Sequence, residues 1–139
     1  MNKLTLEVAK KLIEASEKEA EKRNVAMVIT VLDDGGNLIA SHRMDDAWLA
    51  SIDISQNKAW TSVALKTKTE ELEEVTVPKT ELYGLNTTND GRIVVFGGGL
   101  PLTVNKKIIG AVGVSGSSVD DDMKVAQAAV KAFEEIISA

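Results

Sequence analysis

Hydrophobic residues recur every three or four positions in three parts of the chain, a spacing typical of helices that bury one face. These parts are 5–23, about 51–65, and a closing segment that begins near Asp120–Asp122. A short helix is also predicted after the second part, because Thr67 and Glu70 have the spacing of a capping box. The pattern therefore predicts helices at both ends of the chain and in its middle.

Between these helices, runs of β-branched residues and alternating segments predict five strands, at 25–32, 38–44, 92–96, 100–104 and 108–115. The first two are joined by DDGGN, a sequence typical of a hairpin turn. Residues 76–91 contain Pro78 and Gly84 among polar residues, and predict a long surface loop. This order predicts an α+β fold: one domain over 1–139, with a five-stranded, mainly antiparallel sheet covered by helices.

Composition excludes several functional classes. The net charge of −5 disfavours nucleic acid as a partner, because phosphate binding needs a basic face. With no cysteine and one histidine, the chain has no disulfide, thiolate nucleophile or multi-histidine metal site, so no structural metal is expected. No apolar run approaches the ~20 residues of a membrane span, and no signal-peptide pattern is present. We expect a cytoplasmic protein with no membrane partner. Because no catalytic motif is present, we expect its role to be binding rather than catalysis.

Three consecutive glycines, Gly97, Gly98 and Gly99, interrupt the stretch VVFGGGLPLTV. One interpretation is a strand corner whose backbone needs positive φ. The other is a surface without side chains, which a flat ligand or a partner's backbone can approach. A two-residue hairpin loop needs only one or two glycines. We therefore favour a combined role, in which the corner also forms one wall of a pocket.

Small residues, Ser115, Gly116 and Ser117, precede the acidic first turn of the closing helix. The plainer interpretation is helix capping, by Ser118 or Asp120. The alternative is an anion site, where free N–H groups and the helix dipole hold a ligand carboxylate.

His42 is the only histidine, and it shares one face of its predicted strand with Leu38. That position favours a partly buried, structural histidine. The alternative is an axial haem ligand or a proton donor beside a pocket, because neutral imidazole is a common ligand. Met44, Met27 and Tyr83 are weaker ligand candidates, since methionines on apolar faces usually fill the core.

Two long blocks carry a family resemblance: GNLIASHRMDDAWLASIDISQNKAWTSVA (36–64) and VFGGGLPLTVNKKIIGAVGVSGSSVDDDMKVAQAA (95–129). Both are similar to the GlcG/HbpS-like family of small haem-binding proteins, which also supplies the C-terminal domain of PduO-type corrinoid adenosyltransferases. Together with the preceding helix and hairpin, the resemblance covers essentially the whole chain.

The resemblance implies a profilin-like α/β/α fold, assembly into a homo-oligomer from dimer to octamer, and a tetrapyrrole ligand. Haem is the first expectation and a corrinoid the second. It also adds three ligand-binding candidates, Arg43, Asp45 and Lys58. Arg43 would bind a carboxylate in bidentate fashion. Alternatively, Arg43 pairs with Asp45 or caps the next helix, and Lys58 is a solvated surface charge.

The expected function is ligand binding, in a pocket between the sheet, the glycine corner and the last helix. The expected setting is service to cofactor-dependent metabolism, such as diol or glycolate utilisation, which the resemblance implies. Two alternatives stay open: a small-molecule enzyme that uses Arg43 and Lys58 on a carboxylate, and a module whose role is assembly.

Overall fold

A computed structural model describes residues 1–139. In chain order the elements are α1 (Leu6–Lys22), β1 (Val28–Asp33), β2 (Leu38–Arg43), α2 (Ala50–Leu65), β3 (Gly99–Val104), β4 (Lys107–Ser115) and α3 (Val119–Ser138). Three short 3₁₀ turns lie between α2 and β3, at Thr69–Leu72, Leu85–Thr87 and Asn89–Gly91. The three predicted helices and the predicted hairpin are confirmed.

The four strands form one antiparallel sheet in the order β2-β1-β4-β3. Helices α1 and α3 pack together on one face of the sheet, and α2 lies alone on the other. Successive residues of β1 show the two environments. Ile29 and Val31 belong to the main core under α1 and α3, whereas the Thr30 hydroxyl lies 2.8 Å from that of Ser55 on α2. Helices therefore cover both faces of the sheet, as predicted.

Residues 92–96 do not form the fifth strand that their β-branched sequence predicts. The Val94 N–H donates instead to Thr61 Oγ1 of α2 at 3.0 Å, and Ile93 is buried. The neighbouring strand β3 carries Pro101, which has no N–H to offer a further strand. The segment 92–96 consequently lies along α2, and the sheet ends at β3 with four strands.

The helices α1 and α3 begin at side-chain caps that the sequence indicates. Thr5 Oγ1 accepts the Val8 N–H at 3.2 Å, and Ser118 Oγ accepts the Asp121 N–H at 3.1 Å. A buried hydrogen bond of 2.8 Å, from Ser16 Oγ to the Val125 carbonyl, joins the two helices within their shared core. The residues that cap α1 and α3 and the core that the two helices share are thus both as the sequence indicates on this face of the sheet.

Helix α2 differs from an ordinary amphipathic helix, because polar and small side chains rather than large apolar ones face the sheet. Its buried residues are polar or small: Ser51, Ser55, Lys58, Ala59, Thr61 and Ser62. Its apolar Ile52 is exposed, and just before it Trp48 and Leu49 are 62% and 72% exposed. Such small buried side chains allow the helix backbone to approach the sheet closely.

Two glycines that face each other across β3 and β4 accept this close approach. Gly99 and Gly113 are cross-strand partners. A Cβ atom on Gly113 would overlap the Ser55 carbonyl oxygen, and one on Gly99 would overlap the Lys58 carbonyl oxygen. The backbone of α2 therefore fills the space that the two missing side chains leave.

Candidate functional site

The predicted site residues fall into two groups on different parts of the sheet. The first group, which we call the Lys58 cluster, contains Lys58, the glycine corner and the residues before α3. The second group lies at the edge strand β2; we call it the β2 edge, and it contains His42, Arg43 and Asp45. The structure does not combine the two groups into one pocket.

Lys58 is fully buried, so its interpretation as a solvated surface charge is wrong. Its Nζ atom donates to the Val114 carbonyl at 2.8 Å and to Asp122 Oδ2 at 2.9 Å. The same atom lies 5.0 Å from the ring centroid of Phe96. Burial lowers the pKa of Lys58 and raises the pKa of Asp122, and each charge partly offsets the shift of the other. This ion pair ties α2 to α3 at one end of the sheet.

The glycine corner is filled by the chain itself. A Cβ atom on Gly97 would lie 2.6 Å from Met123 Sδ, and one on Gly98 would lie 2.7 Å from Lys58 Nζ. Of the three glycines only Gly98 has positive φ, at +125°. The expectation that the bare backbone makes room for an external ligand is therefore wrong: the room is taken by α2, Lys58 and Met123.

Ser115 and Gly116 lie at the end of β4, beneath the start of α2. Ser115 Oγ is 3.0 Å from Ser51 Oγ, and both hydroxyls are buried. Gly116 has φ +151°, and a Cβ atom there would lie 3.0 Å from Met27 Sδ. Both residues therefore serve close packing between β4 and its neighbours.

Carboxylates of the chain's own residues occupy the N-terminus of α3. The Ser117 N–H donates to Asp122 Oδ1 at 3.1 Å, and Ser117 Oγ donates to Asp121 Oδ2 at 2.8 Å. These bonds and the Ser118 cap support the capping interpretation of this stretch. The charges of Asp121 and Asp122 disfavour a ligand carboxylate at this helix end.

His42 is more exposed than its strand face predicted: half of its side chain is open to solvent. The reason is that β2 is an edge strand and α1 covers only part of it. His42 Nδ1 lies 3.4 Å from Glu17 Oε1 on α1, and its Nε2 has no hydrogen-bond partner in the chain. An imidazole held by a carboxylate at one nitrogen, with the other nitrogen free, is the usual arrangement of a metal-ligating histidine.

Arg43 closes the turn between β2 and α2. Its Nε and Nη2 atoms donate to the Ala47 carbonyl at 3.0 and 2.7 Å. Asp45 is exposed and forms no ion pair with Arg43, so these two residues do not pair. Beside them is a hollow of about 350 Å³, lined by Glu17, Glu21, Arg43, Met44 and Asp45. Three carboxylates and one guanidinium make this surface acidic.

Two of the weaker ligand candidates, Met44 and Met27, contact each other, and Tyr83 lies elsewhere on the surface. Met44 Sδ accepts the Met27 N–H at 3.4 Å, so this thioether has a structural contact. Tyr83 is 66% exposed on the loop before β3. No group of three His, Cys, Asp or Glu side chains is placed to hold a metal ion. No helix combines the length and apolar character needed to cross a membrane.

The sequence analysis missed a groove between α2 and residues 86–96, which we call the α2 groove. Its apolar end, about 270 Å³, is lined by Asp53, Ile54, Asn57, Asn86, Gly91, Ile93, Val94, Val95 and Phe96. Its polar end, about 600 Å³, is lined by Asp53, Gln56, Asn57, Trp60, Asn89, Asp90, Gly91 and Arg92. The signal in the sequence is the helical spacing of three polar residues, Asp53, Gln56 and Asn57, none of which is buried.

Known proteins share this architecture along nearly the whole chain. The family model described as "Haem degrading protein HbpS-like" matches residues 4–131. The chain belongs to the HbpS-like family. The resemblance read from residues 36–64 and 95–129 is thus confirmed.

Three relatives show how far the similarity to HbpS-like proteins extends. An uncharacterized 15.0 kDa protein in the dhaT-dhaS intergenic region of Citrobacter freundii is 48% identical over 133 residues, which cover 96% of this chain and 94% of that protein. Corrinoid adenosyltransferase PduO of Salmonella typhimurium is 41% identical over 122 residues, which cover 88% of this chain and 36% of PduO. The crystal structure of a PduOC:heme complex has a TM-score of 0.90 and 39% identity, with 94% of each chain covered.

Proposed function

We propose that this protein binds haem at the β2 edge, with His42 Nε2 as the axial ligand. The observation that carries the proposal is the geometry of this single histidine, whose Nδ1 faces Glu17 while Nε2 is free. The haem-bound relative PduOC supports the choice of ligand. A bound haem would supply an iron atom with an axial position, and imidazole is a donor suited to it.

The surroundings of His42 define what else such a site needs. The hollow beside it is acidic, which disfavours the two propionates of haem. Arg43 Nε and Nη2 donate to the Ala47 carbonyl, so only its Nη1 is fully available to hold a propionate. One chain leaves the outer side of the imidazole open to solvent, so we propose a homo-oligomer in which a second copy covers the haem. Trp48 and Leu49, exposed close after β2, supply apolar surface for that contact.

The proposed setting is a cytoplasmic accessory role in cofactor-dependent metabolism. The support is the similarity to a protein named corrinoid adenosyltransferase, of which this chain spans about a third. That name also makes a corrinoid the second candidate ligand.

Titration of the haem-free protein with haemin tests the proposal. We expect a Soret shift that saturates at one haem per chain and is lost in His42→Ala. Glu17→Gln should weaken binding about 10-fold or more, the usual effect of removing the carboxylate partner of a histidine ligand. Tyr83→Phe and Met44→Leu, which change the other candidate donors, should bind like the parent protein. A Soret shift that survives in His42→Ala, or no shift in any form, would refute the assignment; cyanocobalamin in parallel tests the corrinoid.

A further inference from the structure

The polar end of the α2 groove contains many hydrogen-bonding groups that the chain does not use. Gln56, Asn89 and Asp90 make no side-chain hydrogen bond in the structure. Both terminal nitrogens of Arg92 are also free, because only its Nε donates, to Asn57 Oδ1 at 3.3 Å. Free donors and free acceptors therefore face one hollow of about 600 Å³, a size within the usual range of small-molecule sites.

The walls of this hollow are held in place by contacts within the chain. Asn57 Nδ2 donates to Asp53 Oδ2 at 3.0 Å, next to the Arg92 bond. The Arg92 guanidinium lies 4.3 Å from the ring centroid of Trp60. On its other side the indole abuts the hairpin turn, where a Cβ atom on Gly36 would lie 2.9 Å from Trp60 Cδ1. The aromatic ring and the guanidinium are thus positioned before any ligand arrives.

The charges of the lining decide between ligand classes. Asp53 and Asp90 contribute two negative charges and Arg92 one positive charge, so the net charge of −1 disfavours an anion. Two carboxylates without a third oxyanion or imidazole do not form a metal site. A hydroxyl group both donates and accepts, and so matches a lining of amides, carboxylates and a guanidinium.

We infer that the polar end of the α2 groove binds an uncharged, polyhydroxylated ligand the size of a sugar or short polyol. This site is separate from the β2 edge, and its test does not depend on haem. The ring of Trp60, partly exposed at the wall, reports on its occupancy.

The test uses the haem-free Trp48→Phe variant, in which Trp60 is the only tryptophan. Its emission is followed during titration with D-glucose, xylitol or glycerol, and with D-gluconate as an anion of nearly the same size as glucose. We expect a saturable change with at least one of the three neutral probes, and binding of gluconate at least 10-fold weaker than that of glucose.

Two glutamine variants, each made in the Trp48→Phe protein, distinguish a binding site in the groove from a surface that is only hydrated. Gln56→Ala removes a lining side chain that has no hydrogen bond to lose within the chain, so affinity should fall about 3- to 10-fold, the effect of one neutral hydrogen bond. Gln127→Ala, which removes the other glutamine from an exposed position on α3, should have no effect. A flat response to all three neutral probes, tighter binding of gluconate than of glucose, or equal affinity in the two glutamine variants would each overturn the inference.

Discussion

Replacing Lys58 by methionine should destabilise the protein strongly, because it leaves a buried carboxylate without its cation. Asp122 is almost fully buried, and in the parent protein its Oδ2 atom accepts from Lys58 Nζ at 2.9 Å. In Lys58→Met it would keep only the Ser117 N–H. The change also removes the donor that serves the Val114 carbonyl.

The expected loss in the free energy of unfolding is about 3–5 kcal/mol, the usual cost of removing one partner of a buried ion pair. For a chain of this length, that loss should lower the melting temperature by about 12–20 °C. Adding Asp122→Asn should restore at least half of the loss, because asparagine keeps an acceptor for Ser117 without a charge. A residual cost of about 1–2 kcal/mol should remain for the unpartnered Val114 carbonyl.

Urea unfolding at several pH values measures both effects. Burial raises the pKa of Asp122, and the Lys58 charge opposes that rise, so the pKa should rise further in Lys58→Met. The folded variant then holds a proton that the unfolded chain releases, and its stability is lost as pH rises through the folded pKa. The difference in the free energy of unfolding between variant and parent should therefore become smaller on acidification from pH 7 to pH 5. The claim that Lys58 and Asp122 form a buried pair in which each charge depends on the other would be refuted in two ways. One is a loss in the free energy of unfolding below about 1 kcal/mol at pH 7, and the other is a difference between variant and parent that does not change with pH.

Two further predictions test the close packing of α2 and the charge of the β2 edge. Gly113→Ala should cost about 3 kcal/mol or more in urea unfolding, because the new methyl group overlaps the Ser55 carbonyl. Gly84→Ala should cost only about 1–2 kcal/mol, since Gly84 has φ +92° but no atom within 4 Å; similar losses in both would contradict the packing explanation. Haemin affinity at His42 should rise with added salt, because salt screens the repulsion between propionates and the surrounding carboxylates. An affinity that falls with salt would show that a cation such as Arg43 dominates instead.

Helices α1 and α3 and the hairpin were predictable because their local signals agree with the packing. Thr5 and Ser118 cap α1 and α3, and both helices bury the apolar stripes that their spacing indicates. The segment 92–96 was not predictable by the same reasoning. Its β-branched residues favour a strand, but pairing depends on a free neighbouring edge, and that is a property of the whole sheet.

The candidate site was less predictable, because it depends on which elements touch. Lys58 reads as a surface charge until the fold places Asp122 beside it, 64 positions later in the chain. His42 is half exposed because β2 is an edge strand, and only the sheet order shows that position. The backbone approach that the glycines indicated does occur, but the approaching backbone belongs to α2.

The inverted packing of α2 connects these observations. A helix that places three serines, one threonine and one lysine against a sheet gains little from burial of apolar surface there. Its position must depend instead on close backbone contact at Gly99 and Gly113 and on the Lys58 ion pair. Large polar side chains of α2 are then left on the outside, where they line the α2 groove. Just before the helix, Trp48 and Leu49 form an exposed apolar surface. The residues that would bind ligands or a second copy are therefore available because the sheet-facing side of α2 holds the helix by other means.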